Sequence, residues 1–327
     1  MKYVAYGGDG DAASLHIQET EAPRPGAGEI LIRVQAAGVN RPDVLQRQGK
    51  YAPPPDASPI LGLEVAGTVA AVGADVDEWQ VGDRVCALVP GGGYAEYCVT
   101  PARHALPIPA GLSLEAAAGL PEVWFTVWAN LVDLAQLRAG EWLLVHGGAS
   151  GIGLAALQLA THLNARPIVT VGSEDKARFC RDFGACAAIE YHRDDFVERS
   201  LALTGGEGVD VVLDMVGAAY LERNLRVLRQ DGRLVLIGFM QGSRGQIDLR
   251  PVLAKRLRLT GSAMRPRSIA EKAAIRAALL QHIWPAIAAG RIRSHVHAVF
   301  PLAQASEAHR LMESGRHVGK IVLRVAG

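Results

Sequence analysis

The chain has 327 residues, 49% of them hydrophobic, with 36 glycines and a formal net charge of +1, enough for one large or two medium domains with substantial cores. So small a charge speaks against nucleic acid or an anionic membrane surface as a partner, and no apolar run reaches membrane-spanning length. The start Met1-Lys-Tyr-Val-Ala-Tyr6 reads as a strand rather than a signal peptide, so a cytoplasmic location is expected.

From Met1 to about Val123, short alternating or apolar runs (Glu29–Val34, Val65–Val72, Arg84–Val89) are separated by Gly and Pro and predict a β-rich, barrel-like domain. Between them, Gly38–Tyr51 and the following Pro53-Pro-Pro55 are too punctuated to be core alone, and read as a binding loop on a rigid scaffold. Thr126–Leu137 is predicted as a helix. The four cysteines, Cys86, Cys98, Cys180 and Cys186, form no C-x-x-C pair and no cluster with histidine, so buried free thiols are expected rather than zinc or disulfides. His104, His146, His162 and His282 stand alone and His295 and His297 alternate on a strand, so no metal ligand is assigned.

The stretch from Glu141 to Ser173 organises the central part of the chain. Glu141-Trp-Leu-Leu-Val-His146 is a short apolar run that meets Gly147-Gly-Ala-Ser-Gly-Ile-Gly153, after which Leu154–Ala160 has apolar residues at helical spacing. The pattern Gly148-x-x-Gly151-x-Gly153 departs from the commoner G-x-G-x-x-G spacing, and by itself also fits a purely structural turn. A second apolar run one helix later, Pro167–Val171, ending in Gly172-Ser173, supplies the context of a dinucleotide site. There the pyrophosphate rests on free N–H groups of the helix start, and the end of the second strand meets the adenosine ribose. An acidic residue at that end would select NAD. Ser173, with Lys176 one turn on, suits a 2′-phosphate and hence NADPH. Glu174 argues the other way, and Ser173 can also serve simply as a helix cap.

Further units alternate: strand Ala187–Tyr191 and helix Asp194–Leu203, strand Val209–Asp214 and helix Leu221–Leu228, strand Arg233–Ile237 and a further strand at Leu257–Gly261. Alternation of this kind predicts a doubly wound parallel sheet. Ile269–Ala289 is one long helix or two, with Pro285 marking a break. From His295 the β character returns, with strand Val296–Phe300, a helix around Gln304–Met312 and a final strand Lys320–Val325. The expected α/β organisation is therefore a cofactor domain, 124–294, inserted in a barrel-like domain of residues 1–123 and 295–327, with a cleft between them.

The segments Gly38-Val-Asn-Arg-Pro-Asp43, Arg47–Pro55, Leu61-Gly-Leu-Glu-Val-Ala-Gly67, Pro90–Glu96, Leu120–Thr126, His146–Gly153 and Gly319–Leu323 span the chain. Their order resembles the zinc-free, zeta-crystallin-like quinone oxidoreductases of the medium-chain dehydrogenase/reductase superfamily. The resemblance implies a Rossmann-type sheet domain inserted in a GroES-like β-barrel domain. It also implies hydride transfer from NADPH to a quinone or an activated alkene, and a homodimer joined through an edge strand such as Leu257–Gly261. Zinc-dependent relatives carry a Cys near the position of Asn40 and a G-H-E triplet. Here the triplet is Gly62-Leu63-Glu64, and Leu63 cannot bind metal. An acceptor that is already electrophilic needs no Lewis acid to receive hydride.

Carried over by position, the resemblance puts Asn40 and Tyr51 at the nicotinamide and substrate, with Tyr51 the candidate to contact a quinone ring or donate to its oxygen. Thr126 falls near the nicotinamide ribose, and Ser150, Gly151, Ile152 and Gly153 line the pyrophosphate. Gly172, Ser173, Lys176 and Tyr191 surround the adenosine phosphate, while Phe239, Met240 and Lys320 complete the nicotinamide side. Plainer readings stand beside these. Asn40 can fix its own loop, Tyr51 can be a packed surface aromatic, Tyr191 a core-edge residue, Phe239 and Met240 ordinary packing, and Lys320 a solvated charge. Glu64 and Asp43 have no evident proton-transfer task, and Glu64 is expected to hold neighbouring backbone or Arg groups. Enone or enoyl-thioester reduction needs the same hydride geometry. A non-catalytic RNA-binding role, known among zeta-crystallin relatives, is disfavoured by the near-zero charge.

Overall fold

The computed structural model describes residues 1–8 and 10–325. Its contacts divide the chain into two compact units, Met1–Phe125 with Arg265–Gly327, and Thr126–Met264. Among the described residues no helix is long and apolar enough to cross a membrane.

The first unit is built on strands. A ribbon of β1 (Lys2–Ala5) and β2 (His16–Glu19) accompanies a seven-stranded sheet. The sheet contains β3 (Glu29–Val39), β4 (Glu64–Val72), β5 (Arg84–Leu88), β6 (Tyr97–Pro101) and β7 (Ala105–Pro107), completed from the C-terminal end of the chain by β14 (Val296–Pro301) and β15 (Lys320–Arg324). Its order is β14-β15-β3-β4-β5-β7, with β6 also on β3. Ile30, Ile32 and Val34 alternate into a core shared with Val65, Val85, Ile321 and Leu323, the period of two expected where one face of a sheet is buried. The return of β character after His295 is thus the closing of this same sheet.

Gly38–Tyr51, read as a loop, contains a short helix, α1 (Arg41–Arg47). Its start is locally specified. Asn40 precedes it, Pro42 sits in the first turn where a missing N–H does no harm, and the Asp43 carboxylate accepts the Asn40 N–H at 2.8 Å. Two further helices, α2 (Leu114–Ala118) and α3 (Pro121–Val127), follow β7. The predicted helix Thr126–Leu137 is instead the end of α3 continued by a π-helical segment, Trp128–Leu134, where the Asn130 side chain donates to the Thr126 carbonyl at 2.8 Å.

The second unit is a parallel sheet of β8 (Trp142–His146), β9 (Arg166–Val171), β10 (Ala187–Glu190), β11 (Val209–Asp214), β12 (Leu228–Leu236) and β13 (Arg258–Gly261) in the order β10-β9-β8-β11-β12-β13. Helices α4 (Gly151–His162), α5 (Glu174–Asp182), α6 (Phe196–Leu203), α7 (Ala218–Val227) and α8 (Arg250–Lys255) connect the strands. The doubly wound sheet inserted in a GroES-like barrel is therefore the architecture found. His146 belongs to the core of this unit, bonded to Thr170 Oγ1 at 2.9 Å and Asn224 Oδ1 at 2.8 Å, and burial lowers its pKa to about 4.

The unit boundary after the sheet lies at 264/265, where the sequence suggested 294/295. The reason is the docking of α9 (Ile269–His282) and α10 (Trp284–Ala288) on the barrel. Arg276 pairs with Glu78 at 2.9 Å, and Trp284 Nε1 donates to the Pro107 carbonyl at 2.8 Å. The break between these helices falls just before Pro285, which sits in the first turn of α10.

Candidate active site

In the second unit the carboxyl ends of the parallel strands gather the predicted cofactor residues at one edge of the sheet, where ligands of open α/β sheets bind. Ser150 precedes α4 and its hydroxyl accepts the Gly153 N–H at 3.0 Å, at the start of a twelve-residue helix whose first N–H groups have no acceptor within the helix. The glycines make this turn possible by close packing. A Cβ on Gly148 would stand 2.3 Å from Val169 Cβ, and one on Gly153 would stand 2.3 and 2.4 Å from the Gly148 and Gly147 carbonyl oxygens. Gly151 and Ile152 lie on the partly exposed first turn. The donor set and the bare backbone fit a pyrophosphate.

At the tip of β9, Ser173 caps α5 through a 3.4 Å bond from the Lys176 N–H, so the capping reading holds and leaves the serine position without a carboxylate. Tyr191 follows β10, hydrogen-bonded by its N–H to the Val171 carbonyl, and its hydroxyl lies across Gly172 where a Cβ would come within 2.7 Å. It is 41% exposed rather than a core-edge residue. Phe239 and Met240 follow β12 with 56% and 55% of their surface exposed, so they are not ordinary packing. Thr126 is nearly buried, with its carbonyl engaged by Asn130.

In the first unit, strand register assembles a second group. β15 pairs with β3 so that Ile321 faces Val39, and β3 pairs with β4 so that Ala37 faces Val65. Lys320, Asn40 and Glu64 consequently meet. Lys320 Nζ lies 2.6 Å from Glu64 Oε1 and donates to Asn40 Oδ1 at 2.6 Å, while Asn40 Nδ2 donates to Glu64 Oε1 at 3.0 Å. Lys320 is therefore a buried ion-pair partner, not a solvated charge. Glu64 fills the space over Gly38, where a Cβ would fall 2.0 Å from its Oε1, and it also accepts the Glu122 N–H at 2.9 Å. Asn40 is tied to more than its own loop.

Asp43 is the second buried acid. It accepts from Asn40 N–H, from Gly62 N–H at 3.0 Å and from the Tyr94 hydroxyl at 3.3 Å. Arg47 donates to His309 Nδ1 at 3.0 Å, so His309 Nε2 carries the proton and donates to Tyr94 at 3.1 Å, which frees the Tyr94 hydroxyl to donate to Asp43. Burial and the Arg47 charge keep this histidine neutral, with its pKa lowered to about 3. Burial raises Asp43 to about 7 against the pull of its two backbone donors. Its folded value exceeds its unfolded one, so its contribution to stability falls as pH rises from about 4 to about 7.

Tyr51 is half-buried, and the Arg265 guanidinium lies 5.4 Å from its ring centroid, a distance at which a cation is attracted to the ring face. Arg265 is itself fixed by the Pro90 carbonyl at 2.8 and 3.0 Å and by Gln46 Oε1 at 2.8 Å, and Lys272 Nζ holds the Arg265 carbonyl at 2.9 Å. Arg265, Lys272 and Glu122 were not singled out as site residues from the sequence. Glu122 lies in one of the quoted motifs, but its chemistry depends on neighbours far away in the chain. Among the described residues no group of three or more His, Cys, Asp or Glu side chains is arranged to hold a metal.

The comparisons with known proteins agree with this architecture. Residues 26–110 match the alcohol dehydrogenase GroES-like domain and residues 151–279 the zinc-binding dehydrogenase domain. The chain is 34% identical to a quinone oxidoreductase of Pseudomonas aeruginosa over 99% of this chain and 98% of that one. It is 33% identical to a mycocerosic acid synthase-like polyketide synthase of Mycobacterium tuberculosis over 97% of its own length, but spans only 15% of that much longer relative. Among solved structures, an Escherichia coli quinone oxidoreductase complexed with NADPH superposes with a TM-score of 0.88 at 31% identity, covering 99% and 100% of the two chains. The CurK enoyl reductase superposes at 0.86 and 29%, covering 99% of each. The chain belongs to the medium-chain dehydrogenase/reductase superfamily, in the group that the quinone oxidoreductases represent.

Proposed function

We propose that the protein is an NADPH-dependent quinone reductase that works without zinc. The observation that carries the reading is the pair of strand ends in the second unit. The Ser150–Gly153 turn offers backbone N–H groups to a pyrophosphate, and the next strand ends in Ser173 with no carboxylate to bond a free ribose. The full-length likeness to a quinone oxidoreductase, and the NADPH in the superposed Escherichia coli structure, support the same choice. Asn40 and Leu63 stand where zinc-dependent relatives carry ligands, which supports zinc independence.

When bound, the dihydronicotinamide supplies a hydride from its C4. The chain's own residues position and polarise. Gly172, Ser173, Lys176 and Tyr191 take the adenosine phosphate; Thr126, Phe239 and Met240 border the nicotinamide side. Tyr51, its ring held against Arg265, donates its hydroxyl proton to the oxygen that gains charge. Asn40 is oriented by Lys320 and Glu64 to bond the nicotinamide or the acceptor. Reduction of an enone or enoyl thioester is the second reading, favoured by the superposition on CurK enoyl reductase.

Oxidation of NADPH and of NADH, followed at the nicotinamide absorbance with ortho- and para-quinones beside simple enones, separates these readings. NADPH-selective turnover of quinones is expected, with kcat lowered about 10- to 100-fold in Tyr51→Phe. Turnover of enones alone would move the substrate class to the second reading. We also propose a homodimer through β13, an edge strand of its sheet with Leu259 39% exposed; light scattering at micromolar concentration is expected to return twice the chain mass, and a monomer mass would exclude it.

A further inference from the structure

The position of Asn40 depends on α1, and α1 does not set its own place. With seven residues it falls short of the length of about 12–15 at which a helix holds together in water without help, so its partners decide where it lies. One of them is α11 (Ala305–Ser314). Arg47, the last residue of α1, donates through Nη1 to His309 Nδ1 at 3.0 Å and through Nη2 to Glu313 Oε1 at 2.7 Å, while Gln48 donates to the same Glu313 oxygen at 3.0 Å. His309 and Glu313 stand one helical turn apart and so share a face of α11.

From His309 the hydrogen bonds run back to the start of α1. A guanidinium has no lone pair to offer, so His309 Nδ1 accepts and its Nε2 carries the N–H. That N–H donates to the Tyr94 oxygen at 3.1 Å, the Tyr94 hydroxyl donates to Asp43 Oδ2 at 3.3 Å, and the same Oδ2 accepts the Asn40 N–H at 2.8 Å. Every link is buried: His309 and Tyr94 have 0% of their surface exposed, Asp43 1% and Arg47 3%. A partner removed here leaves a polar group unsatisfied, which costs more than the bond itself contributes. Asn40 is thus fixed twice, its side-chain amide by Lys320 and Glu64 and its backbone by this chain.

We propose that His309 is a positioning residue for Asn40. The inference rests on the quinone or enone reductase reading above, in which Asn40 bonds the nicotinamide or the acceptor. His309 touches neither and acts through Asn40. It closes a path of hydrogen bonds that leaves α1 at its last residue and returns at the residue before its first turn, and so holds the Asn40 backbone where its strand-held amide reaches the reacting groups. Imidazole suits this place because it accepts on one edge and donates on the other. A displacement of about 1 Å at such a group, caused far from the chemistry, can cost about 100-fold in rate.

Two measurements test it, one of them without cofactor. The chain has four asparagines, Asn40, Asn130, Asn164 and Asn224, so nuclear magnetic resonance of the cofactor-free protein carrying isotope-labelled asparagine gives few amide signals, and Asn40→Ala identifies the one from Asn40. Its backbone N–H signal is expected to shift in His309→Leu and in Tyr94→Phe, which keeps the ring and cuts the path at a single oxygen. It is expected to return toward the wild-type position in His309→Gln, whose amide can accept from Arg47 and donate to Tyr94. In turnover, His309→Leu is expected to lower kcat about tenfold with KM for NADPH unchanged. In an Asn40→Ala background the same substitution is expected to lower kcat less than about twofold, because a residue that acts only through Asn40 then has nothing to position. A purely structural role gives the same loss in both backgrounds. That result, or an Asn40 signal unmoved in both His309→Leu and Tyr94→Phe, overturns the proposal. If wild type reduces neither quinones nor enones, the functional reading fails instead, and the Asn40 signal alone decides whether His309 positions this residue.

Discussion

Lys320→Met is expected to lower the stability of the protein by about 3–5 kcal/mol, the range for removing one member of a buried ion pair. Glu64 has no exposed side-chain surface and Lys320 only 7%, so the variant leaves a carboxylate in a low-dielectric setting with Asn40 and one backbone N–H for support. The double variant Glu64→Gln, Lys320→Met removes the stranded charge and is expected to recover a large part of the loss, since a buried pair adds little over neutral replacements. Urea denaturation at pH 7 of wild type, both single variants and the double variant measures the coupling. A Lys320→Met loss below about 1 kcal/mol would mean that water reaches the pair as it does a surface ion pair.

Gly153→Ala is the second large effect. The new methyl would fall 2.3 and 2.4 Å from two carbonyl oxygens of the Gly147–Gly148 turn, atoms of the backbone that cannot swing aside. The turn must open, and the Ser150 cap and the N–H groups proposed to hold the pyrophosphate move with it. Overpacking of this kind costs about 1–3 kcal/mol, so NADPH affinity is expected to fall on the order of 10- to 100-fold, with a lower melting temperature of the cofactor-free protein. Fluorescence of bound NADPH reads the first and thermal unfolding the second. Gly8→Ala, where a Cβ meets nothing within 4 Å, serves as the control. Unchanged NADPH binding in Gly153→Ala would remove this turn from the cofactor site.

The two units differ in their electrostatics. In the second, the start of α4 carries neutral backbone donors capped by Ser150. The first holds acids whose protonation is set by burial: Asp43 near 7 and Glu122 near 8. Both bind protons more readily folded than unfolded, so together they make stability decline from about pH 4 to about pH 8. His146 and His309, held neutral by burial, act in the opposite sense, and their contribution is lost as pH falls below about 6.5.

The amino-acid sequence alone determined whatever is written in short-range pattern. The β8-turn-α4 unit, the alternation of strands and helices through β12 and the return of β structure after His295 all follow from periodicities and glycine positions within a few tens of residues. So does the Ser173 cap, a local hydroxyl at a helix start. The seven residues of α1 were too few to show a helical period between its glycine and proline neighbours, although Asn40, Pro42 and Asp43 carried the signal of a helix start. What only the tertiary structure decided is which distant side chains meet. Asn40 is 24 residues from Glu64 and 280 from Lys320, and they touch because β15 and β4 flank β3 in one particular register. Arg265 reaches Gln46 across 219 residues. The charge states of Asp43 and Glu122 depend on burial and on partners brought from elsewhere in the chain, so no local pattern could disclose them.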